Sequence, residues 1–238
     1  MKFSIITVTY NAESCIEATL KSVKEQSYPQ VEHIIIDGGS KDNTLSIIKR
    51  YNDRITQVVS EPDKGIYDAM NKGIRLATGD YLCFLNAGDT LHEADTLEKM
   101  VNGQSADIMY GQTAIVNSNR EFLYMRHHTA PEVLTWKSFK QGMLVCHQAF
   151  FVKRSLVEPY YLKYRYSSDF DWCIRMMKKA DVIHNTHLIL IDYLDEGMTT
   201  RHHKASLFER LRIMAHHYGW FTTLLMHVWF VIRLPFRQ

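Results

Sequence analysis

Two aspartates each follow a stretch that is predicted to be a buried strand. At such positions a carboxylate could take part in phosphate or nucleotide chemistry. Asp37 comes after the apolar residues 33–36, and Asp89 ends the turn Asn86-Ala87-Gly88-Asp89. A carboxylate at Asp37 could accept hydrogen bonds from ribose hydroxyls or from a base N–H. The alternative is an Asp that caps the turn after it.

Asp89 has the residue type and the position for a divalent cation. Mg²⁺ and Mn²⁺ that bridge phosphates commonly take only one or two protein carboxylates, so a single Asp at a strand end can suffice. Such an ion would stabilise the negative charge that develops on a departing diphosphate. The alternative is that Asp89 caps a helix that begins at Thr90.

The elements that must position these residues alternate along the first half of the chain. Apolar runs predict strands, and apolar residues at helical spacing predict helices. The predicted strands are 3–8, 33–36, 55–59 and 81–85, and the predicted helices are 12–26, 43–51 and 65–77. This order predicts a Rossmann-like, mostly parallel α/β sheet with helices on both faces. Ligands bind beyond the carboxyl ends of such strands, where Thr9-Tyr10-Asn11, Asp37 and Asp89 fall.

The second half has a mixed pattern. It predicts strands at 107–116, 121–127, 146–152 and 182–193, and helices at 131–139, 168–180 and 204–218. We therefore expect one domain with a first half at 1–104 and a second half at 105–200, followed by a basic amphipathic helical tail at 201–238.

Composition and missing motifs exclude several classes of protein. The net charge of +2 gives no global basic field for nucleic acid. No GxGxxG turn follows the first strand and no P-loop occurs, which disfavours a dinucleotide-binding dehydrogenase and a P-loop enzyme. The four cysteines are scattered without a CxxC pair, which is typical of reduced thiols in a cytosolic protein.

Four motifs in order carry a family resemblance. They are SIITVTYNAE, IIIDGGSKDNT, SEPDKGIYDAMNKGI and GDYLCFLNAGD. Together they resemble family 2 glycosyltransferases of the GT-A fold, especially members that build bacterial surface polysaccharides, over about residues 3–195.

The resemblance implies that 1–104 is a nucleotide-sugar-binding half and 105–200 an acceptor-binding half of the same domain, and it implies a set of site residues. Asp89 would bind Mg²⁺ or Mn²⁺, although this chain has Asn86 and Gly88 where many relatives carry further carboxylates. The implied nucleotide-sugar-binding residues are Thr9, Tyr10, Asn11, Asp37, Lys64, Gly65, Asn71 and Asn86.

The resemblance places the catalytic base on Asp169, in Ser168-Asp169-Phe170-Asp171-Trp172. Helical spacing agrees, because Asp169 shares an apolar stripe with Cys173 and Met176 and therefore faces inward. Asp171 points about 200° around the helix, towards Arg175. It remains the second candidate, and it is assigned with His147 to acceptor or sugar binding. The alternative for both acids is stabilisation of the helix dipole.

Two further histidines are weaker candidates. The resemblance allows His202 or His203 to join the metal shell, but a solvated basic turn is the alternative reading. For His147 the alternative is a partly buried histidine with its hydrogen bonds satisfied.

The carboxyl-terminal tail combines positive charge with aromatic residues. From residue 201 onward the chain has six basic residues and one acid, Glu209. The tail therefore carries a net charge of +5 and the rest of the chain −3. Residues 219–232 contain no charged residue and are too short to span a bilayer. These features predict an interfacial helix on an anionic membrane surface, at the cytoplasmic face. The alternative is packing against its own domain or against a second subunit, as a homo-oligomer.

These observations predict an inverting, metal-dependent enzyme that moves a sugar from a nucleotide-sugar donor to an acceptor hydroxyl, on a glycan or lipid-linked acceptor. The first alternative is a non-catalytic nucleotide-sugar-binding or scaffold subunit at the membrane. A sugar-nucleotide pyrophosphorylase is the second, and it is disfavoured because the Gly-rich basic loop that it uses is missing.

Overall fold

The computed structural model describes residues 1–102, 105–195 and 203–233. Within them, nine strands form one sheet in the order β3-β2-β1-β4-β8-β6-β9-β5, with β7 paired to β6. The strands are β1 (Phe3–Thr9), β2 (Val31–Asp37), β3 (Gln57–Ser60), β4 (Tyr81–Phe84), β5 (Thr90–Leu91), β6 (Ile108–Val116), β7 (Phe122–Met125), β8 (Phe150–Lys153) and β9 (Ile183–Leu194). The helices are α1 (Ile16–Lys24), α2 (Thr44–Lys49), α3 (Ile66–Leu76), α4 (Thr96–Val101), α5 (Ser168–Lys179), α6 (His203–Tyr218) and α7 (Trp220–Arg233).

The first four strands of the sheet are parallel, as the alternating pattern predicts. β1 and β2 consist largely of Ile, Val and Phe and are buried on both faces, which is typical of a parallel sheet covered by helices. The fold class predicted from the sequence is therefore confirmed. Antiparallel pairs enter only in the second half, where β8 joins β4 to β6.

Helix α3 lies close against the sheet because it carries a glycine at the contact. A Cβ atom added at Gly73 would lie 2.3 Å from Cγ2 of the buried Ile6 in β1. The close approach fixes the start of α3, and with it Tyr67, over the carboxyl edge of the sheet.

Two predicted elements of the second half are wrong in type or extent. The helix predicted at 131–139 is a 3₁₀ turn, Trp136–Gln141, and the strand predicted at 146–152 begins as the 3₁₀ turn His147–Ala149 before β8. Both segments are short and apolar, and sequence periodicity cannot separate a strand from a tight helical turn at such lengths. Strand β5 and helix α4 were not predicted from the sequence.

The tail forms two helices, which separate at Gly219, a residue with a φ of 82°. Helix α6 packs on the domain through Ile213 and Met214, and the Tyr218 hydroxyl donates to the carbonyl oxygen of Trp136 at 2.6 Å. Helix α7 leaves most of its large apolar side chains exposed. Among the described residues, no helix combines the length and the apolar character needed to cross a bilayer.

Candidate active site

The carboxyl ends of the parallel strands meet at one edge of the sheet. Thr9 of β1 pairs in register with Asp37 of β2, and Asp37 pairs with Ser60 of β3. The turn at 86–89 follows β4, which is the neighbour of β1 on its other side. The loops that carry most of the predicted site residues therefore start from one line across the sheet.

Asp37 organises the loop that follows β2, and its contact with base or ribose stays a prediction. Its side chain is fully buried and accepts hydrogen bonds from the backbone of Gly39 and Ser40, both at 3.0 Å. It also accepts from the hydroxyls of Ser60, at 2.6 Å, and Ser40. Because both oxygens are occupied, the carboxylate fixes the glycine loop in place.

The surface beside that loop is formed by Tyr10 and Asp63. Tyr10 is 62% exposed, and a Cβ added at Gly38 would lie 3.3 Å from its ring and 2.7 Å from Oδ2 of Asp63. Asn11, in a left-handed conformation with φ 47°, accepts from the Lys41 N–H at 2.8 Å. Asp63 was missed from the sequence, although its position in the Pro62-Asp63-Lys64-Gly65 turn after β3 was a signal for it.

Lys64 and Gly65 lie at the open start of α3. Lys64 is exposed, and its side chain forms no ion pair among the described residues. Gly65 has a φ of 117°, and a Cβ placed on it would meet nothing within 4 Å. Both positions are accessible to a ligand at this edge.

Asn71 connects two segments of the site. Its side chain is buried, donates to the Tyr160 carbonyl oxygen at 3.0 Å and accepts from the Tyr160 N–H at 2.7 Å. This pair of bonds joins α3 to the segment before α5. The contact of Asn71 with the nucleotide sugar stays a prediction.

The turn at 86–89 is held from two sides. Gln148 is fully buried; its Oε1 accepts from the Asn86 N–H at 2.6 Å and its Nε2 donates to Asp89 Oδ2 at 2.5 Å. The other oxygen of Asp89 accepts from the Leu194 N–H at 2.8 Å. Asp89 thus joins the turn to the end of β9, and Gln148 holds the turn from the other side.

Asp89 remains the predicted metal ligand. Each of its carboxylate oxygens accepts one protein hydrogen bond and keeps a second lone pair, and the residue is 5% exposed. Burial raises the pKa of Asp89 to about 6, although the Leu194 N–H and the Gln148 amide act in the opposite direction. Within the described ranges no group of three His, Cys, Asp or Glu side chains is arranged to hold a metal ion.

Two further polar groups lie at the same turn, an amide oxygen and a guanidinium group. Asn86 Oδ1 is buried and has no hydrogen-bond partner within the described part of the chain. Arg120 in the β6–β7 connection has a φ of 66° and donates from Nη1 to the Gly88 carbonyl oxygen at 2.6 Å. The turn therefore has a neutral oxygen and a guanidinium beside it, and Arg120 was not singled out from the sequence.

Asp169, near the start of α5, is held by two side chains from different elements. The Tyr67 hydroxyl donates to Oδ1 at 2.9 Å, and His147 Nδ1 lies 3.5 Å from Oδ2. The Asp169 side chain retains 16% exposure, so it is accessible at one side. Burial, followed by the Asp169 charge, raises the pKa of Tyr67 well above its ordinary value, and the phenol stays a hydrogen-bond donor.

His147 lies between the two aspartates that the sequence singled out. Burial lowers the pKa of His147, but the Cys146 hydrogen bond and the charges of Asp169 and Asp89 outweigh burial and raise it overall. Its Nε2 is buried without a partner in the described ranges. The single turn His147–Ala149 therefore directs His147 towards Asp169 and Gln148 towards Asp89.

Asp171 is held by two charged or titratable partners, and its assignment to acceptor or sugar binding stays a prediction. It is 1% exposed and accepts from Arg175 Nε at 2.8 Å, while His217 Nε2 lies 2.9 Å from its other oxygen. The pairing with Arg175 follows from the helical spacing. His202 and the side chain of His203 lie outside the described residues.

Comparison with known proteins identifies the family. Residues 4–160 match the family model of glycosyl transferase family 2. A PGL/p-HBAD biosynthesis glycosyltransferase of Mycobacterium bovis is 34% identical over 206 residues, which cover 82% of this chain and 77% of the relative. The UDP-Glc:alpha-D-GlcNAc-diphosphoundecaprenol beta-1,3-glucosyltransferase WfgD of Escherichia coli is 27% identical over 75% of this chain and 71% of its own.

Solved structures agree in fold. Residues 1–349 of S. aureus TarS, in complex with UDP, superpose with a TM-score of 0.72 and 19% identity, over 98% of this chain and 71% of that TarS chain. The mannosyltransferase PcManGT of Pyrobaculum calidifontis in complex with GDP-Man and Mn²⁺ superposes with a TM-score of 0.64 and 14% identity, over 100% of this chain and 76% of that protein. The four sequence motifs and the parallel strands with their shared carboxyl edge agree with the family model. The match to that model identifies the chain as a member of glycosyl transferase family 2.

Proposed function

We propose that the chain is an inverting glycosyltransferase that transfers a sugar from a nucleoside-diphosphate sugar to a hydroxyl of a lipid-linked glycan. The observation that carries the proposal is the environment of Asp169. Its carboxylate is fixed by the Tyr67 hydroxyl at 2.9 Å, faces His147 and stays accessible from one side. A general base needs this combination of fixed position and access.

In the proposed reaction the acceptor oxygen attacks the anomeric carbon from the face opposite the diphosphate. The acceptor proton moves to Asp169, and the bond between the anomeric carbon and the diphosphate oxygen breaks with its electron pair on the leaving group. Tyr67 remains protonated and orients one carboxylate oxygen, so the other is directed towards the cleft. Substrate positioning of this kind contributes strongly to rate.

The diphosphate would lie at the carboxyl edge, between the turn at 86–89 and the start of α3. Lys64 and Arg120 are the cationic side chains at these two places, and they favour an anionic group there. The Pyrobaculum neighbour binds Mn²⁺. Asp89 is the carboxylate that would hold a divalent ion at this turn, where the ion would stabilise the charge of the leaving diphosphate. Metal dependence is therefore an arm of the test.

A lipid-linked acceptor is supported by two features. The Escherichia coli relative acts on a diphosphoundecaprenol-linked sugar. In addition, helix α7 exposes a row of apolar and aromatic side chains beside a strongly basic segment of sequence. We therefore place the enzyme at the cytoplasmic face of an anionic membrane, with the tail in the interface.

The first prediction tests the base. Asp169→Asn removes the proton acceptor and keeps the shape, so we expect kcat to fall by about 10²- to 10⁴-fold. Transfer would be measured from UDP-glucose, UDP-N-acetylglucosamine and GDP-mannose to a diphosphate-lipid-linked sugar, with Mg²⁺, with Mn²⁺ and with EDTA. Donor binding, followed by thermal shift, should survive the substitution.

Asp181→Asn is the matched control, because Asp181 is an exposed acid just beyond the other end of α5. It should keep the wild-type rate. Turnover of Asp169→Asn at the wild-type rate would show that another group is the base. A wild-type protein that binds a donor and transfers nothing would favour the non-catalytic alternative.

A further inference from the structure

A carboxylate of the tail holds the backbone directly before the catalytic aspartate. Glu209 in α6 accepts the Arg165 N–H at 2.8 Å with one oxygen. Its other oxygen accepts the N–H groups of Tyr166, at 2.7 Å, and Ser167, at 3.0 Å. Three consecutive backbone donors therefore converge on one side chain, more than 40 residues further along the chain.

Glu209 binds the three N–H groups that come directly before helix α5, whose first turn has no local side-chain cap. Ser167 is the residue before the helix, but its side chain makes no capping bond. Instead its hydroxyl lies 2.9 Å from the Ser206 hydroxyl, one turn before Glu209 on α6. Ser167 and Ser168 are fully buried, so water cannot replace the contact at Ser167, whereas Arg165 at the start of the segment is exposed. The backbone that leads into Asp169 is thus placed by α6.

We propose that Glu209 is a positioning residue that sets the orientation of Asp169 and makes the tail part of the catalytic unit. The proposal rests on the assignment of Asp169 as the base. An unsatisfied buried N–H is costly, so loss of the carboxylate should let the 165–167 segment move. A displacement of about 1 Å at a reacting group can cost about 10²-fold in rate.

A second contact between the same helices supports the link. His217, two turns beyond Glu209, bonds to the buried Asp171 of α5. Helix α6 therefore contacts the chain on both sides of Asp169, at residues 165–167 and at Asp171. Glu209 is the only acid in the basic tail, so no neighbouring carboxylate in that segment can substitute for it.

The test compares three variants of the full chain. Glu209→Ala removes the acceptor, and we expect kcat to fall by about 10- to 100-fold with the donor KM nearly unchanged. Glu209→Gln keeps one acceptor oxygen and should restore part of the rate. Glu158→Gln is the matched control, because Glu158 pairs with Arg175 and Lys179 at the far side of α5; it should keep the wild-type kcat.

Backbone hydrogen exchange gives a readout that does not need activity. In Glu209→Gln the amides of 165–167 should exchange faster, while the last turn of α5 keeps its protection; the same measurement serves if Glu209→Ala does not fold. Unchanged exchange at 165–167, or equal losses of kcat in Glu209→Gln and Glu158→Gln, would overturn the positioning role. A wild-type protein without turnover, combined with faster exchange in Glu209→Gln, would count against the proposed function instead.

Discussion

At the scale of single residues, the site separates two aspartates by their surroundings. Asp89 is enclosed, and both oxygens are bound by the amide of Gln148 and the backbone of Leu194. Asp169 keeps solvent access and is held by a phenol and an imidazole. Environments that differ in this way assign different roles to chemically identical groups. Asp89 therefore connects the turn at 86–89 to Gln148 and to the end of β9. Asp169 instead keeps the solvent access that a proton acceptor needs.

The buried position of Asp89 predicts an unusual pH dependence of stability. Its folded pKa of about 6 lies above the ordinary 3.8, so between these values the folded state binds more protons than the unfolded state. Its contribution to the free energy of unfolding should therefore improve as pH falls from 7 to 4, by about 3 kcal/mol. Urea unfolding of wild type and Asp89→Asn in EDTA across this range measures it.

The difference in unfolding free energy between the two proteins should shift in favour of wild type as pH falls. Asn cannot titrate, so every other group cancels in the comparison. A difference that stays constant from pH 7 to pH 4, or that shifts the other way, would show that Asp89 is not desolvated as the fold indicates.

Sequence reasoning identified positions at the site more reliably than it identified what their side chains contact. The strand-end location of Asp37 and Asp89 follows from alternation of elements, and Asp169 from a motif at a helix start. Their partners could not be derived, because Ser60, Gln148 and Tyr67 are distant in sequence and meet them only in the folded chain. The partner of Asn71 could not be derived for the same reason, because it is 89 residues away.

At the scale of elements, the opposite end of the sheet provides stability without taking part in the site. Glu32 in β2 has a nearly buried side chain and accepts from Lys2 Nζ at 2.5 Å, from the hydroxyls of Ser4 and Thr78, and from the Gly79 N–H at 2.9 Å. Burial raises the pKa of Glu32, but these bonds outweigh burial and lower it to about 2. The carboxylate thus joins β1, β2 and the start of β4.

Substituting Glu32 should therefore affect stability and spare catalysis. For Glu32→Gln we expect the free energy of unfolding at pH 7 to fall by about 2 kcal/mol, because charged hydrogen bonds are lost, with kcat unchanged. A depressed carboxyl pKa stabilises above the unfolded value of 4.5, so the wild-type advantage should disappear as pH falls from there towards 2.

The matched control is Glu25→Gln, whose carboxylate is exposed and lies 3.7 Å from Lys21 in α1. Its effect should stay within about 0.5 kcal/mol. Equal urea midpoints for Glu32→Gln and wild type at pH 7 would contradict the role given to this cluster.

Elements of the first half could be predicted because each is long enough to show its period. β1, α1, β2 and α3 all carry apolar residues at strand or helix spacing, and the structure differs from the prediction mainly at their ends. The second half departs because β6 pairs antiparallel with β7 and β8 but parallel with β9, and because His147–Ala149 forms a tight turn inside an apolar run. In the first half, β5 was missed because it has only 2 residues. Local patterns do not encode these features; long-range pairing decides them.

At the scale of the whole molecule, the two helices of the tail differ in what they contact. Through Glu209, Ile213 and His217, helix α6 is bound to the catalytic domain. Helix α7 instead leaves Phe221 78% exposed, with Trp220 and Trp229 more than half exposed. Aromatic side chains next to a basic segment suit the interface of an anionic bilayer, where rings lie at the headgroup level. Lipid contact through α7, combined with the support that α6 gives to the backbone before Asp169, would bring the site close to a lipid-linked acceptor.

Membrane association of α7 is the last prediction. The wild-type protein should sediment with vesicles that contain phosphatidylglycerol, more strongly than with phosphatidylcholine alone, and salt should weaken the binding. Replacing Phe221 and Trp229 together by Ser should reduce binding at least about tenfold, because two large apolar side chains lose their burial in the interface. Phe122→Ser is the control, since Phe122 in β7 is comparably exposed but far from the tail in sequence. If the double variant binds vesicles as wild type does, or if α7 mediates a stable dimer in sedimentation experiments without lipid, the apolar face serves a protein contact and the interfacial assignment is wrong.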